Sequence, residues 1–310
     1  MKHFKSIQST SINGSVLTIG AFDGVHLGHQ KILRAMRDGQ PTDQHPLAVL
    51  TFFPHPNVVL HGRRPSFYLT TPEEKADLLA EHGVDVVITE TFDETLSRVS
   101  AEDFVRRLVK HLGLHSLWVG PDFALGYERE GNLTYLRKKG LELGFEVHVV
   151  EPLKMNGEVV SSTRIREALR SGDVARAAGY LGRPFELVGE VIHGSGRGRE
   201  LGIPTANLSI WSERAYPRKG VYACFVKILG EKYSAVANVG DRPTFEEDKL
   251  PKPIVEAHLL DFGDHNIYGE TLRLQFIRRL RDEQEFNGSG ALLDQIQLDI
   301  KRARQILEEQ

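Results

Sequence analysis

From residue 16 to about residue 180 the chain alternates short apolar runs with segments of helical spacing. The runs VLTIG (16–20), LAVLTFF (47–53), VDVVIT (84–89), SLWVG (116–120) and FEVHVV (145–150) predict buried strands. Helices with recognisable starts lie between them. Thr71, Pro72 and Glu74 supply an N-cap, a first-turn proline and a capping-box acid. Ser100 with Asp103 repeats the device before DFVRRLVKHL (103–112). Strands alternating with helices predict a parallel sheet covered on both faces, an α/β unit.

After about residue 185 the pattern changes. LVGEVIHG (187–194), GVYACFVKI (220–228), YSAVANVG (233–240), IVEAHLLDF (254–262) and LRLQFIRRL (272–280) read as strands separated by glycine, proline and charged turns. This predicts an all-β unit, an antiparallel sheet or small barrel. ALLDQIQLDIKRARQIL (291–307) returns to helix, with Leu292, Ile296, Ile300, Ala303 and Leu307 on one stripe. The boundary falls after DVARAAGYL (173–181), near 182–187, and divides the chain into 1–184 and 185–310.

Composition changes this picture little. The chain has 310 residues, 40% apolar and 26% charged, with a formal charge of −3. That balance is globular and points to neither nucleic acid nor a membrane surface. Cys224 is the single cysteine, so no internal disulfide forms, and its apolar run predicts a buried, inert thiol. The first 15 residues are polar and contain no signal-peptide core, and no run of about 18 apolar residues occurs. The expectation is a soluble cytoplasmic protein. The oligomeric state is not legible.

Candidate chemistry starts at GAFDGVHLGHQ (20–30), which joins the first predicted strand to a helix. Free N–H groups and the helix dipole favour phosphate at such a turn. Gly24 and Gly28 allow close backbone approach. His26 and His29, three apart, can point the same way and donate to phosphate oxygens. A zinc pair would want a spacing of four and a third ligand, which this segment lacks. Taken alone, the pair also fits two surface histidines. In SSTRIREAL (161–169) hydroxyls precede a helix that carries Arg164 and Arg166, which suits either a phosphate site or a capped surface helix.

GAFDGVHLGH together with SSTRIR resembles the HxGH nucleotidyltransferases. TFFPHP (51–56) and VGPDFALGYEREGN (119–132) narrow this to the FMN adenylyltransferase module of bacterial FAD synthetases. The resemblance implies a Rossmann-like parallel-sheet domain. It implies that Gly20, Phe22, Asp23, Gly24, His26, His29, Ser162, Thr163 and Arg166 meet ATP and its phosphates. It further implies that Pro54, His55, Pro56, Asp122 and Phe123 belong to the segments that bind the flavin substrate. Where many members carry a polar or basic middle residue in FxFG, this chain has Phe123, Ala124, Leu125 and Gly126.

HGSGRGRELGIPTANLSI (193–210) is the densest motif of the second half. It matches neither the P-loop nor the dinucleotide fingerprint, and its glycines fit a phosphate flap or a plain surface loop. In extended PTANLSI, Thr205 and Asn207 share a face and offer oxygens of the kind Mg²⁺ prefers, or they simply face solvent. In IVEAHLLDF, Glu256 and His258 share a face, where a carboxylate can act as general base or merely be exposed. With GVYA, NVGDRPTF (238–245), YGE and LRDEQEF (280–286), these segments resemble the riboflavin kinase module. The resemblance implies a small antiparallel β-barrel with a closing helix. The loop of Gly194, Gly196, Gly198 and Gly202 would cover the ATP phosphates, Pro204 would meet ATP, and Thr205 and Asn207 would bind Mg²⁺ and ATP. Glu256 would be the base, and Arg281 would lie in the segment bordering the flavin. Together the two modules imply an enzyme that converts riboflavin and ATP to FMN, and FMN and ATP to FAD.

Overall fold

A computed structural model describes residues 1–40, 45–62, 67–194, 196, 198, 202–241, 253–263 and 265–310. Parts of two quoted motifs lie outside the described residues: 195, 197 and 199–201 of the glycine-rich stretch, and 242–245 of NVGDRPTF. The chain separates into two compact units, Met1–Arg64 with Tyr68–Ser162, and Pro65–Phe67 with Thr163–Gln310.

The first unit is built on a six-stranded parallel sheet. Its strands are β1 (Lys2–Phe4), β2 (Ser15–Ile19), β3 (Leu47–Phe53), β4 (Val86–Thr91) and β5 (Leu114–Val119). The two-residue strands β6 (Ala124–Leu125) and β7 (Gly131–Asn132) form a separate pair, and β8 (Glu146–Val149) completes the sheet. The order is β1-β4-β3-β2-β5-β8. Alternate side chains feed two cores. Leu17, Ile19, Leu50 and Ile88 pack with helix α5 (Ala101–Leu112) on one face. Val16, Val49 and Val87 pack with α1 (Leu27–Asp38) and α3 (Pro72–Glu81) on the other. Both faces are covered, which is why these strands read as unbroken apolar runs. The capping box at Thr71 and Glu74 is formed, and Ser100 caps α5.

The second unit is a closed antiparallel barrel. Its strands are β11 (Phe185–Ile192), β12 (Ala206–Ser209), β13 (Gly220–Ile228), β14 (Glu231–Asp241), β15 (Pro253–Leu259) and β16 (Thr271–Arg281). They close in the order β11-β12-β15-β14-β13-β16. Inward Leu187, Val226, Ala237, Ala257, Leu274 and Phe276 are fully buried, as period-2 alternation requires. Cys224 is buried too, and burial raises its thiol pKa well above the usual range, so it stays protonated. Helix α9 (Ser289–Glu308) lays Ala303 and Leu307 against the barrel. Helix α8 (Val174–Leu181) packs on β16 and β11, so residues that precede the first barrel strand also belong to this compact unit.

Candidate active sites

In the first unit the chain leaves β2 and turns into α1 through a strained path. Phe22, Gly24 and Val25 have φ of +49°, +83° and +41°. Left-handed backbone is natural for glycine and costly for a β-branched valine, so the surroundings must hold the turn. Asp23 does this. Its buried carboxylate accepts the N–H groups of Leu69 at 3.0 Å and Thr70 at 3.2 Å. The Gly24 N–H donates to Thr70 Oγ1 at 3.2 Å. Gly20 stays in the ladder, donating to Leu50 O at 3.1 Å.

His26 is the N-cap of α1, and its Nδ1 accepts the His29 N–H at 3.3 Å. In the neutral ring that places the proton on Nε2. The two imidazoles stack, with centroids 3.6 Å apart and planes 17° apart, and Phe22 flanks His29 at 4.6 Å. Nδ1 of His29 is buried with no hydrogen-bond partner among the described residues. Burial, then His26 and Lys75, hold the His29 imidazole well below the ordinary histidine range. Ser162 adds its hydroxyl to the same turn, donating to Asp23 O at 2.9 Å. Thus His26, His29, Asp23 and Ser162 come together, and Asp23 turns inward as a fastening for the turn.

The remaining residues named for this module lie on other segments. Pro54, His55 and Pro56 follow β3, and His55 caps α2 (Pro56–His61) by accepting Asn57 N–H at 3.1 Å. Asp122 is exposed after β5, and its carbonyl accepts from Arg129 at 2.6 Å. Phe123 is half-buried against the core. Helix α7 (Ser162–Ser171) carries Thr163, which is exposed, and Arg166, which is buried. Arg166 Nε donates to Phe67 O at 2.7 Å, and its guanidinium lies 4.0 Å over the Phe67 ring.

In the second unit a cleft of about 1280 Å³ is lined by Gly194, Gly196, Gly198, Thr205, Asn207, Glu256 and His258, among others. Asn207 on β12 stands directly opposite Glu256 on β15, and Asn238 on β14 stands opposite Glu256 on its other side. His258 and Pro204 O are 2.8 Å apart, a ring N–H donation that ties β15 to the start of the PTAN segment. A β-carbon on Gly194 would overlap the Asn207 amide, so only glycine lets the flap lie this close. Gly196, Gly198 and Gly202 lie between β11 and β12, and Gly198 O accepts the Ile203 N–H at 2.8 Å. Arg281 pairs through Nε and Nη2 with the buried Asp299 carboxylate of α9, at 2.9 and 2.8 Å.

Two features escaped the sequence reading. Lys75 is buried beneath the β2–α1 turn, and its helical spacing to the core residue Leu79 is the signal that placed it inward. Asn238, whose amide donates to Glu283 at 3.2 Å, borders Glu256, a relation only strand pairing reveals.

Among the described residues no group of three or more His, Cys, Asp or Glu could hold a metal ion. No described helix is long and apolar enough to cross a membrane. The family model described as FAD synthetase matches residues 8–164, and the one described as riboflavin kinase matches residues 181–307. The bifunctional riboflavin kinase/FMN adenylyltransferase of Haemophilus influenzae is 38% identical, over 94% of this chain and 94% of its own. Its counterpart of the same description from Bacillus subtilis is 35% identical over 93% of this chain and 91% of its own. A crystal structure from Streptococcus pneumoniae, described as a macrolide-efflux protein, superposes with a TM-score of 0.88 at 30% identity. It covers 97% of this chain and 98% of its own. Two models in sequence order and relatives matched nearly end to end place the chain in the bifunctional riboflavin kinase/FMN adenylyltransferase family.

Proposed function

We propose that the barrel cleft phosphorylates riboflavin and that the β2–α1 turn then serves the transfer of AMP to the FMN formed, giving FAD. The register of Asn207 beside Glu256 carries the kinase reading. It sets a carboxylate next to an amide suited to the metal–phosphate complex, so a hydroxyl brought to Glu256 meets the γ-phosphate nearby. Glu256 accepts the proton of the terminal ribityl hydroxyl, the oxygen attacks the γ-phosphorus, and ADP leaves. Thr205 and Asn207 offer neutral oxygens of the kind Mg²⁺ accepts, and phosphates and water would complete the shell. When bound, that ion neutralises phosphate charge. Arg281 holds α9 beside the flavin segment through Asp299.

In adenylyl transfer an FMN phosphate oxygen attacks the α-phosphorus of ATP, and pyrophosphate leaves. His26 and His29 donate to the phosphates at the head of α1, where helix N–H groups also favour anions. Ser162, Thr163 and Arg166 of the SSTRIR motif are assigned to the triphosphate. Pro54, His55, Pro56, Asp122 and Phe123 are assigned to the flavin. We assign the first activity in chain order to 1–184 and the second to 185–310, in a cytoplasmic setting where ATP is plentiful.

The test is incubation of the purified chain with riboflavin, Mg²⁺ and ATP. FAD is the expected product. FMN alone would mean a silent adenylyltransferase, and no product would mean a flavin or nucleotide binder.

A further inference from the structure

Lys75 is an ionisable side chain placed where the fold rarely tolerates one. It is 6% exposed, on the inner face of α3 beside Ala76 and Leu79. Its ammonium donates to Ala21 O at 3.0 Å and to Thr51 Oγ1 at 2.8 Å. The Thr51 hydroxyl in turn donates to Ala21 O at 2.9 Å. Ala21 is the last residue before the strained Phe22, so one carbonyl, held by two donors, sets the entry to the turn. Phe22 lies against His29, which stacks on His26. The chain of contacts from Lys75 to the imidazoles is therefore short and rigid.

Keeping a cation in such a place is costly unless it does something a neutral group cannot. A merely structural role is met by the two hydrogen bonds. A buried positive charge beneath a polyphosphate turn does more, because little water screens it. We propose that Lys75 is a positioning residue for adenylyl transfer: charged, it holds the Ala21 carbonyl and with it the His26–His29 stack, and it lends its field to the phosphates from below. This rests on the reading of that turn as the adenylyl-transfer site.

Burial lowers the Lys75 pKa to about 8, against the opposing pull of Asp23 and Glu73. The titratable groups that sense it are Asp23 and His29 of the turn, His3 of β1 and Glu73 of its own helix. The charge is thus present at neutral pH and lost as pH rises through about 8.

The experiment measures kcat and KM for FAD formation from FMN between pH 6.5 and 9.5, on the full chain and on Lys75→Met, with circular dichroism and the urea midpoint of the first unit as the control of folding, since riboflavin phosphorylation belongs to the other unit. The wild type is expected to lose kcat above about pH 8. Lys75→Met is expected to have kcat lower by roughly 10- to 100-fold, as for a misplaced catalytic group, with KM for ATP changed less than kcat and no alkaline limb. Lys75→Met with wild-type kcat and the same limb overturns the proposal. A wild-type profile flat to pH 9.5 overturns it as well, and needs no variant. His29→Ala measured alongside separates the two readings: unimpaired FAD formation there removes the site itself, whereas a large loss there with an unaffected Lys75→Met removes only the role of Lys75.

Discussion

Asn207 and Glu256 face each other across neighbouring antiparallel strands of the closed barrel. The pairing ties the proposed metal ligand and the proposed base to one backbone register, so neither can drift from the other without breaking the ladder. A neutral primary alcohol is a poor nucleophile near pH 7, so the base should matter. We expect Glu256→Gln, which keeps shape but cannot take the proton, to slow riboflavin phosphorylation by roughly 100-fold or more. ATP affinity, read by calorimetry, and FAD formation from FMN should change little. Near-normal kinase turnover in this variant would mean that positioning and charge alone drive the step.

His29→Ala should act in the opposite sense. Loss of one donor to the transition state costs about 100- to 1000-fold in rate. FAD formation should drop by that amount while riboflavin phosphorylation persists. Equal loss of both activities in a folded variant would show that the turn serves more than adenylyl transfer.

The same histidine ties stability to pH. Its folded pKa is depressed by burial, His26 and Lys75, so below about 6.5 the unfolded chain binds a proton that the folded chain refuses. Unfolding then takes up a proton, and stability falls as pH drops. The urea midpoint of the first unit should therefore decline between pH 7 and 5, and His29→Phe should flatten that decline. A variant with an unchanged pH slope would place the effect on other groups.

Gly194→Ala tests the flap. The added methyl would overlap the Asn207 amide and push it from its place in the cleft. Weaker Mg-ATP binding is expected, by about tenfold if roughly 1.4 kcal/mol of contact is lost. The barrel's thermal transition should stay put, since neither residue supports the core. Unaltered ATP affinity would show that Asn207 has little part in holding the nucleotide.

Helix α8 offers a test of the unit's extent. Val174, Ala177 and Leu181 are buried, and the helix packs on β16 and β11. Fragment 163–310 should unfold at higher temperature than 185–310, because burying even one such side chain is worth about 1.5–3 kcal/mol. Equal transitions would mean that α8 adds nothing to the barrel.

Much of this was legible in the sequence because burial on both faces leaves an unbroken apolar run. LAVLTFF is β3 to the residue, and VLTIG and SLWVG lie within two residues of β2 and β5. Strand β1 was not legible: three residues of KHF carry no period, and only pairing of Lys2 with Val86 makes them a strand. The histidine turn announced itself through residue types. The inward turn of Asp23 did not, since its partners Leu69 and Thr70 are 46 and 47 positions away. Asp299 interrupts the apolar stripe of α9 and is nevertheless buried, because Arg281 neutralises it from another element. Long-range polar partners have no periodicity, so the pattern of apolar positions says nothing about them.

Closure of the barrel has a further consequence. Every described barrel strand has a neighbour on each side, so these strands present no open row of backbone donors for a foreign strand to extend. The parallel sheet does end in two strands, but one is the three-residue β1 and the other, β8, carries Glu146 and His148. Short or charged borders resist templated growth of one sheet onto another. The barrel and the parallel sheet thus offer little purchase for strand addition between copies of the chain.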